Sequence, residues 1–186
     1  MRIDFLRKYC FLCVLLCPIL LSASTLECRF GAFFPSGEKF RDLYGDIEAD
    51  FQLEASVPIC VCFEGWTNLD WFSENKKKKG CCQSKVEIVN VSFGIKYVYS
   101  TCENWDFYLG IGPSFGRVGL KNKTCCENEK PSKFMVGGVL KSGSRFYFCQ
   151  NAFLDLFVDY LFQPARFSHH VEVGGVKAGL GLGIRY

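Results

Sequence analysis

The sequence predicts an all-β fold: an eight-stranded antiparallel up-and-down transmembrane β-barrel spanning residues 25–186, preceded by a signal peptide at residues 1–24. Three observations predict it. The last stretch, Val171–Tyr186, puts Val176, Ala178, Leu180, Leu182, Ile184 and Tyr186 on one parity and Gly175, Lys177, Gly179, Gly181, Gly183 and Arg185 on the other, the two-residue period of a strand. A face of glycines and cations behind an apolar one suits a closed barrel in lipid, apolar outward and small or polar inward. Seven further alternating segments come before it, and short turns alternate with long polar loops, the asymmetry of barrels with short periplasmic turns and longer outer loops.

Composition agrees. Of 186 residues, 49% are hydrophobic, with 19 Phe, 18 Gly and 12 Cys, enough apolar surface to order one domain. The net charge of +3 loses Arg2, Arg7, Lys8 and Asp4 with the first 24 residues, so the remainder is close to neutral and no nucleic-acid partner is expected. Those 24 residues read as a targeting segment: a basic start, an apolar run over Cys10–Leu21, and the small residues Ser22, Ala23 and Ser24 before cleavage. The run is shorter than the roughly 20 residues that span a bilayer as a helix.

The first strand is expected over Cys28–Ser36, with Phe30, Ala32 and Phe34 opposite Arg29, Gly31 and Phe33. Ile47–Val57 alternates most cleanly, Ile47, Ala49, Phe51, Leu53, Ala55 and Val57 against Glu48, Asp50, Gln52, Glu54 and Ser56. Pro58 and Ile59 are expected to turn the chain into Cys60–Phe72, which ends in a charged tip over Ser73–Ser84. Lys85–Tyr99 follows, with tyrosines near one end as in an interfacial aromatic belt. Trp105–Leu120 contains Pro113, where a bulge is expected because proline cannot donate to a ladder. After a polar loop over Lys121–Pro131 come Ser132–Phe148, Ala152–Phe162 and the final strand. An even count returns both ends of the mature chain to the periplasmic side.

Signal peptide, eight strands, alternating connections and the terminal GLGLGIRY together resemble the small outer-membrane β-barrels of the OmpA-transmembrane and OmpX type. The stretches FRDLYGD at Phe40–Asp46 and FLDLFVDY at Phe153–Tyr160, with the many cysteines, look more narrowly like a chlamydial outer-membrane protein. The resemblance implies an outer-membrane location in a Gram-negative envelope, contact with lipid and lipopolysaccharide, and passage through the barrel assembly machinery. Leu180, Leu182, Ile184 and Tyr186 would form the signal that machinery reads.

Threading the strands sends Arg29, Lys96, Lys141, Arg145, Lys177 and Arg185 into the lumen with Glu54, Glu64, Asp106, Asp155 and Asp159. Eight strands leave room only for side chains, so the expectation is a paired, polar plug rather than a gated ion path. Nine cysteines follow residue 24. Cys28, Cys60, Cys62, Cys102 and Cys149 are expected at the periplasmic rim, outside the lipid band, and Cys81, Cys82, Cys125 and Cys126 in two outer loops. Both places permit disulfides, within the loops, among the rim thiols or to other envelope proteins, and the odd count leaves at least one thiol over. The adjacent pairs lack the usual spacing of zinc ligands, and no metal or cofactor is expected.

Lys76, Lys77, Lys78 and Lys79 form a basic run at a loop tip, suited to a solvated loop or to a polyanion such as lipopolysaccharide phosphates or a sulfated host glycan. Trp66, Trp71 and Phe72 below it read as interfacial anchors. Some eight-stranded barrels modify lipid A, and Ser168, His169 and His170 with Asp159 or Glu172 are the residues available for that chemistry. They lack the His-x-Ser pair of the deacylases, so the expected function is non-enzymatic: a structural envelope component or surface interaction protein with disulfide-tied outer loops. A secreted, soluble, cysteine-rich β-protein is the third reading.

Overall fold

Alternation of apolar and polar residues dictates strands, and pairing the first strand with the last removes every exposed edge. The computed structural model describes residues 24–37, 47–77, 83–124, 127–129, 132–166, 170–172 and 174–186. Eight long strands form the wall: β1 (Thr25–Pro35), β2 (Glu48–Cys60), β3 (Phe63–Lys77), β4 (Gln83–Cys102), β5 (Trp105–Thr124), β6 (Ser132–Cys149), β7 (Ala152–Phe162) and β8 (Gly175–Arg185). Each pairs antiparallel with its sequence neighbours, and β1 closes on β8 from Thr25 opposite Arg185 to Pro35 opposite Gly175. The expected barrel is the observed one.

Two differences concern lengths and turns. Pro58 and Ile59 do not turn the chain; β2 continues through them to Cys60, and the two-residue turn is Val61 and Cys62. Pro58 is tolerated because it borders a register shift, where a missing donor costs least. At the other end β3, β4 and β5 run on into the stretches expected as loops, and Glu127–Glu129 adds a short ladder to β5. Apolar alternation stops where lipid would stop, whereas ladder hydrogen bonds can continue into water.

Pro113 produces no bulge. It stands opposite Gly138 in β6, and the β4–β5 register is the same on both sides of it, with the pairing skipped at Phe93 and Gly94. A Cβ on either Gly94 or Gly112 would collide with the facing backbone. The two glycines therefore let the strands meet closely beside the proline, and the lost donor is absorbed without an inserted residue. Real register shifts occur elsewhere, between Pro58 and Cys60, Ser100 and Cys102, and Tyr147 and Cys149.

The outside is apolar. Phe30, Phe93, Ile111, Phe134, Leu156 and Leu182 are each about half or more exposed, and Tyr97, Tyr99 and Trp105 stand outward at the short-turn end. The inside holds the charges.

Candidate functional site

The lumen is where chemistry-bearing side chains converge, and strand parity puts them there. Glu27 and Arg29 from β1, Glu54 from β2, Glu64 from β3, Lys96 from β4, Lys141 and Arg145 from β6, and Asp155 and Asp159 from β7 are all buried. Glu54 sits at their centre. It meets Arg29 at 2.9 Å, Lys96 at 2.7 Å and Lys141 at 2.8 Å. Arg29 also reaches Asp155 at 3.1 Å, Lys141 reaches Asp159 at 3.0 Å, and Arg145 reaches Glu64 at 3.1 Å. The Tyr108 hydroxyl accepts from Arg29 at 3.0 Å and donates to Asp155 at 2.9 Å, while Arg29, Lys96 and Arg145 lie 5.3–5.6 Å from its ring centroid. Opposite charges taken out of water require this degree of pairing.

Glycine makes the room. A Cβ on Gly143 would occupy the space of the Tyr108 hydroxyl, one on Gly181 would crowd Glu27, Arg29 and Asp155, and one on Gly183 would enter the Phe153 ring. The glycine face of β8 is thus the negative image of large side chains on its neighbours.

A second, smaller group lies toward the outer end. Lys177 donates to Asp50 at 3.2 Å and Asp70 at 2.6 Å, Gln52 donates to Asp50 at 2.7 Å, and Asn68 donates to Gln52 at 3.1 Å. Phe33 and Phe72 cover it edge to face, with ring centroids 6.1 Å apart.

Of the eleven charges expected in the lumen, ten are buried there. Arg185 is the exception: its side chain is 47% exposed, lies over Tyr147 and sits 3.9 Å from Asp106 at the short-turn mouth. It is the last residue of its strand, with no wall beyond it. Glu27, Asp50, Asp70 and Tyr108 belong to the site but were not among the charged residues singled out from the sequence, although each shares the parity of a residue that was. Trp66 and Phe72 are corrected: both are buried inward, 3% and 5% exposed, and Trp66 lies 5.0 Å from the Lys141 ammonium. They share the parity of Glu64, Asn68 and Asp70, and only Trp71, 53% exposed, faces outward.

Cys28, Cys60, Cys62, Cys102 and Cys149 are free thiols, not bridged to one another. Cys28 is not confined to the rim: its cross-strand partners are Leu53 and Leu182, so it stands on the outward apolar face. The expectations for Cys81, Cys82, Cys125 and Cys126 fall outside the described residues. Lys76 and Lys77 end β3 at the outer end, and Lys78 and Lys79 lie outside the described residues, as do Ser168 and His169. Asp159, the carboxylate offered to that serine and histidine pair, is held in the lumen by Lys141.

No protein-family model matches the chain, and no curated protein matches its sequence. Solved structures do match its fold. Neisserial surface protein A is 13% identical over 87% of this chain and 96% of its own, with a TM-score of 0.64. The outer membrane protein OprG from Pseudomonas aeruginosa is 11% identical over 89% and 97%, with a TM-score of 0.62. Ail, the attachment invasion locus protein of Yersinia pestis, solved with the heparin analogue sucrose octasulfate, is 12% identical over 86% and 96%, with a TM-score of 0.58. The fold is that of small eight-stranded outer-membrane β-barrels.

Proposed function

We propose that this chain resides in the bacterial outer membrane as a non-enzymatic barrel that works by presentation: lipid-facing strands hold it, the paired lumen closes it, and its outer hairpins and loops meet what lies outside. The observation that carries this reading is the inversion of polarity, with leucine, isoleucine and phenylalanine exposed all round the wall and lysine, arginine and carboxylates buried within. Each such apolar side chain left in water forgoes roughly 1.5–3 kcal/mol of burial; surrounded by lipid, it does not. Residues 1–24 then act as the signal peptide, and outward-facing Leu180, Leu182, Ile184 and Tyr186 as the mark read by the assembly machinery. The test is electrophoretic: refolded in detergent, the unheated chain migrates faster than the boiled chain. Identical migration, with solubility in the absence of detergent, would replace this reading with a secreted β-protein.

The outer ligand we propose is a polyanion, lipopolysaccharide phosphate or a sulfated glycan, contacted by Lys76–Lys79. Support comes from the run of four successive lysines in the sequence, the first two of which end β3, and from the sulfated sugar bound by the Ail structure. Replacing all four lysines by serine is expected to weaken binding to sucrose octasulfate about tenfold or more, the sum of several exposed ion pairs, with the wild-type affinity falling as salt rises. Unchanged affinity would show that the run is only a solvated tip.

A further inference from the structure

The barrel mouth at the short-turn end holds an open cleft of about 720 Å³, bordered by Asn104 of the β4–β5 turn, Asp106 and Tyr147 of the wall, Gln150 of the β6–β7 turn and Arg185 at the end of β8. Sites that take small molecules run to roughly 300–1,000 Å³. The borders of this cleft are tied to one another. The Tyr147 N–H donates to the Asn104 carbonyl at 2.9 Å, the Arg185 N–H donates to the Asn151 carbonyl at 2.8 Å, and the Arg185 carbonyl accepts from the Asn151 side-chain amide at 2.9 Å.

Two charged groups in the cleft are each incompletely used. The Arg185 guanidinium lies 4.8 Å over the Tyr147 ring, and its Nη2 donates to the Tyr147 hydroxyl at 2.8 Å. Clamped at its backbone and held by one tyrosine, the half-exposed guanidinium has further N–H donors to offer. Asp106 is the converse case, a buried carboxylate. Arg145 stands opposite it in register but reaches inward to Glu64 at 3.1 Å, and Arg185 pairs with Asp106 only at 3.9 Å. A carboxylate taken out of water is poorly compensated by so long a pair. A half-exposed pair of that length is also worth little, so a ligand displaces it at small cost.

We propose that this cleft binds the zwitterionic head of an amino acid, its α-carboxylate on the guanidinium of Arg185 and its α-ammonium on Asp106. A simple anion would meet the Asp106 carboxylate and a simple cation the Arg185 guanidinium, whereas a dipolar head satisfies both. Such a head fills only part of the cleft, and Ser100, Asn104 and Gln150 along the remainder offer hydrogen bonds to a polar extension. The ligand is therefore a free amino acid, or one joined to a larger molecule through its side chain, the linkage that leaves both α groups free. The proposal rests on the membrane-barrel reading only for the side from which the ligand arrives, the periplasm.

The experiment uses the full chain refolded in detergent with its thiols kept reduced. One probe is γ-glutamylglycine, whose α-carboxylate is free; the other is α-glutamylglycine, of equal mass and charge, whose α-carboxylate is spent in the peptide bond. Calorimetry is expected to show the γ isomer binding about tenfold or more tighter, the worth of one charge-assisted pair. Asp106→Asn and Arg185→Gln should each lose about tenfold for the γ isomer while heat-modifiable migration persists. Cys102 and Cys149 line the cleft and the exposed Cys60 lies outside it, so bound ligand should slow alkylation of the first two and leave the third unchanged. Free glutamate binding as tightly as γ-glutamylglycine would assign the site to a free amino acid; weaker binding of glutamate would assign it to a side-chain-linked one. Three results would overturn the proposal: equal affinity for the isomers or none for either, affinity unchanged in both variants, or equal protection of all three thiols. Loss of heat-modifiability in the wild type would sink the barrel reading instead.

Discussion

Glu54 is the residue on which the lumen depends. Three cations converge on its carboxylate, so replacing it by glutamine keeps the shape and leaves Arg29, Lys96 and Lys141 short of their shared counter-charge. Removing one partner from a buried ionic cluster costs about 3–5 kcal/mol, and Glu54→Gln is expected to lower the urea midpoint of the detergent-refolded barrel accordingly. Asp106→Asn at the mouth, where the partner Arg185 is half exposed, should move the midpoint little by comparison. Equal losses at both positions would mean that the mouth is as dry as the middle. Glu54 was legible in the sequence as an inward residue, but its place at the centre was not. Parity tells which face a side chain takes; the identity of its neighbours depends on strand registers that no single strand encodes.

At the scale of one strand, β3 shows what the sequence carries and where it is misread. Glu64, Trp66, Asn68, Asp70 and Phe72 share one parity, and Thr67, Leu69 and Trp71 the other. Read by residue type, Trp66 and Phe72 look like interfacial anchors; read by parity, they belong with the carboxylates. Parity decides, because a lone aromatic cannot change face without moving its whole strand out of register. By contrast the outward faces of β7 and β8 were legible, since type and parity agree at Leu154, Leu156, Val158, Leu180 and Leu182, whereas Arg185 at the end of β8 departs from its expected place. The same logic gives an optical test, because the chain has 3 Trp. A variant retaining only Trp71 should be strongly quenched by brominated lipid, and one retaining only Trp66 scarcely at all. Comparable quenching would place β3 one residue out of the register described.

For the molecule as a whole, the question is whether the charged interior conducts or only fills. Arg29, Lys96, Lys141 and Arg145 have no exposed surface, and neither does Phe153. Every one of those cations has a carboxylate within 3.1 Å, and toward the outer end Phe33, Phe72, Ile88 and Leu161 point inward around the Lys177 group. A passing ion would have to break pairs whose rupture is costly in a dry interior and then cross an apolar layer. Eight strands give a ring wide enough for side chains alone, so no bypass runs beside them. Reconstituted in planar bilayers, the chain is therefore expected to leave conductance at the level of the bare membrane at moderate voltage. Discrete openings would show that the ion pairs exchange partners and that the lumen is a gate. Their absence, together with retained heat-modifiability, would assign the interior to holding the barrel shut and leave what the barrel presents outside the membrane as its working surface.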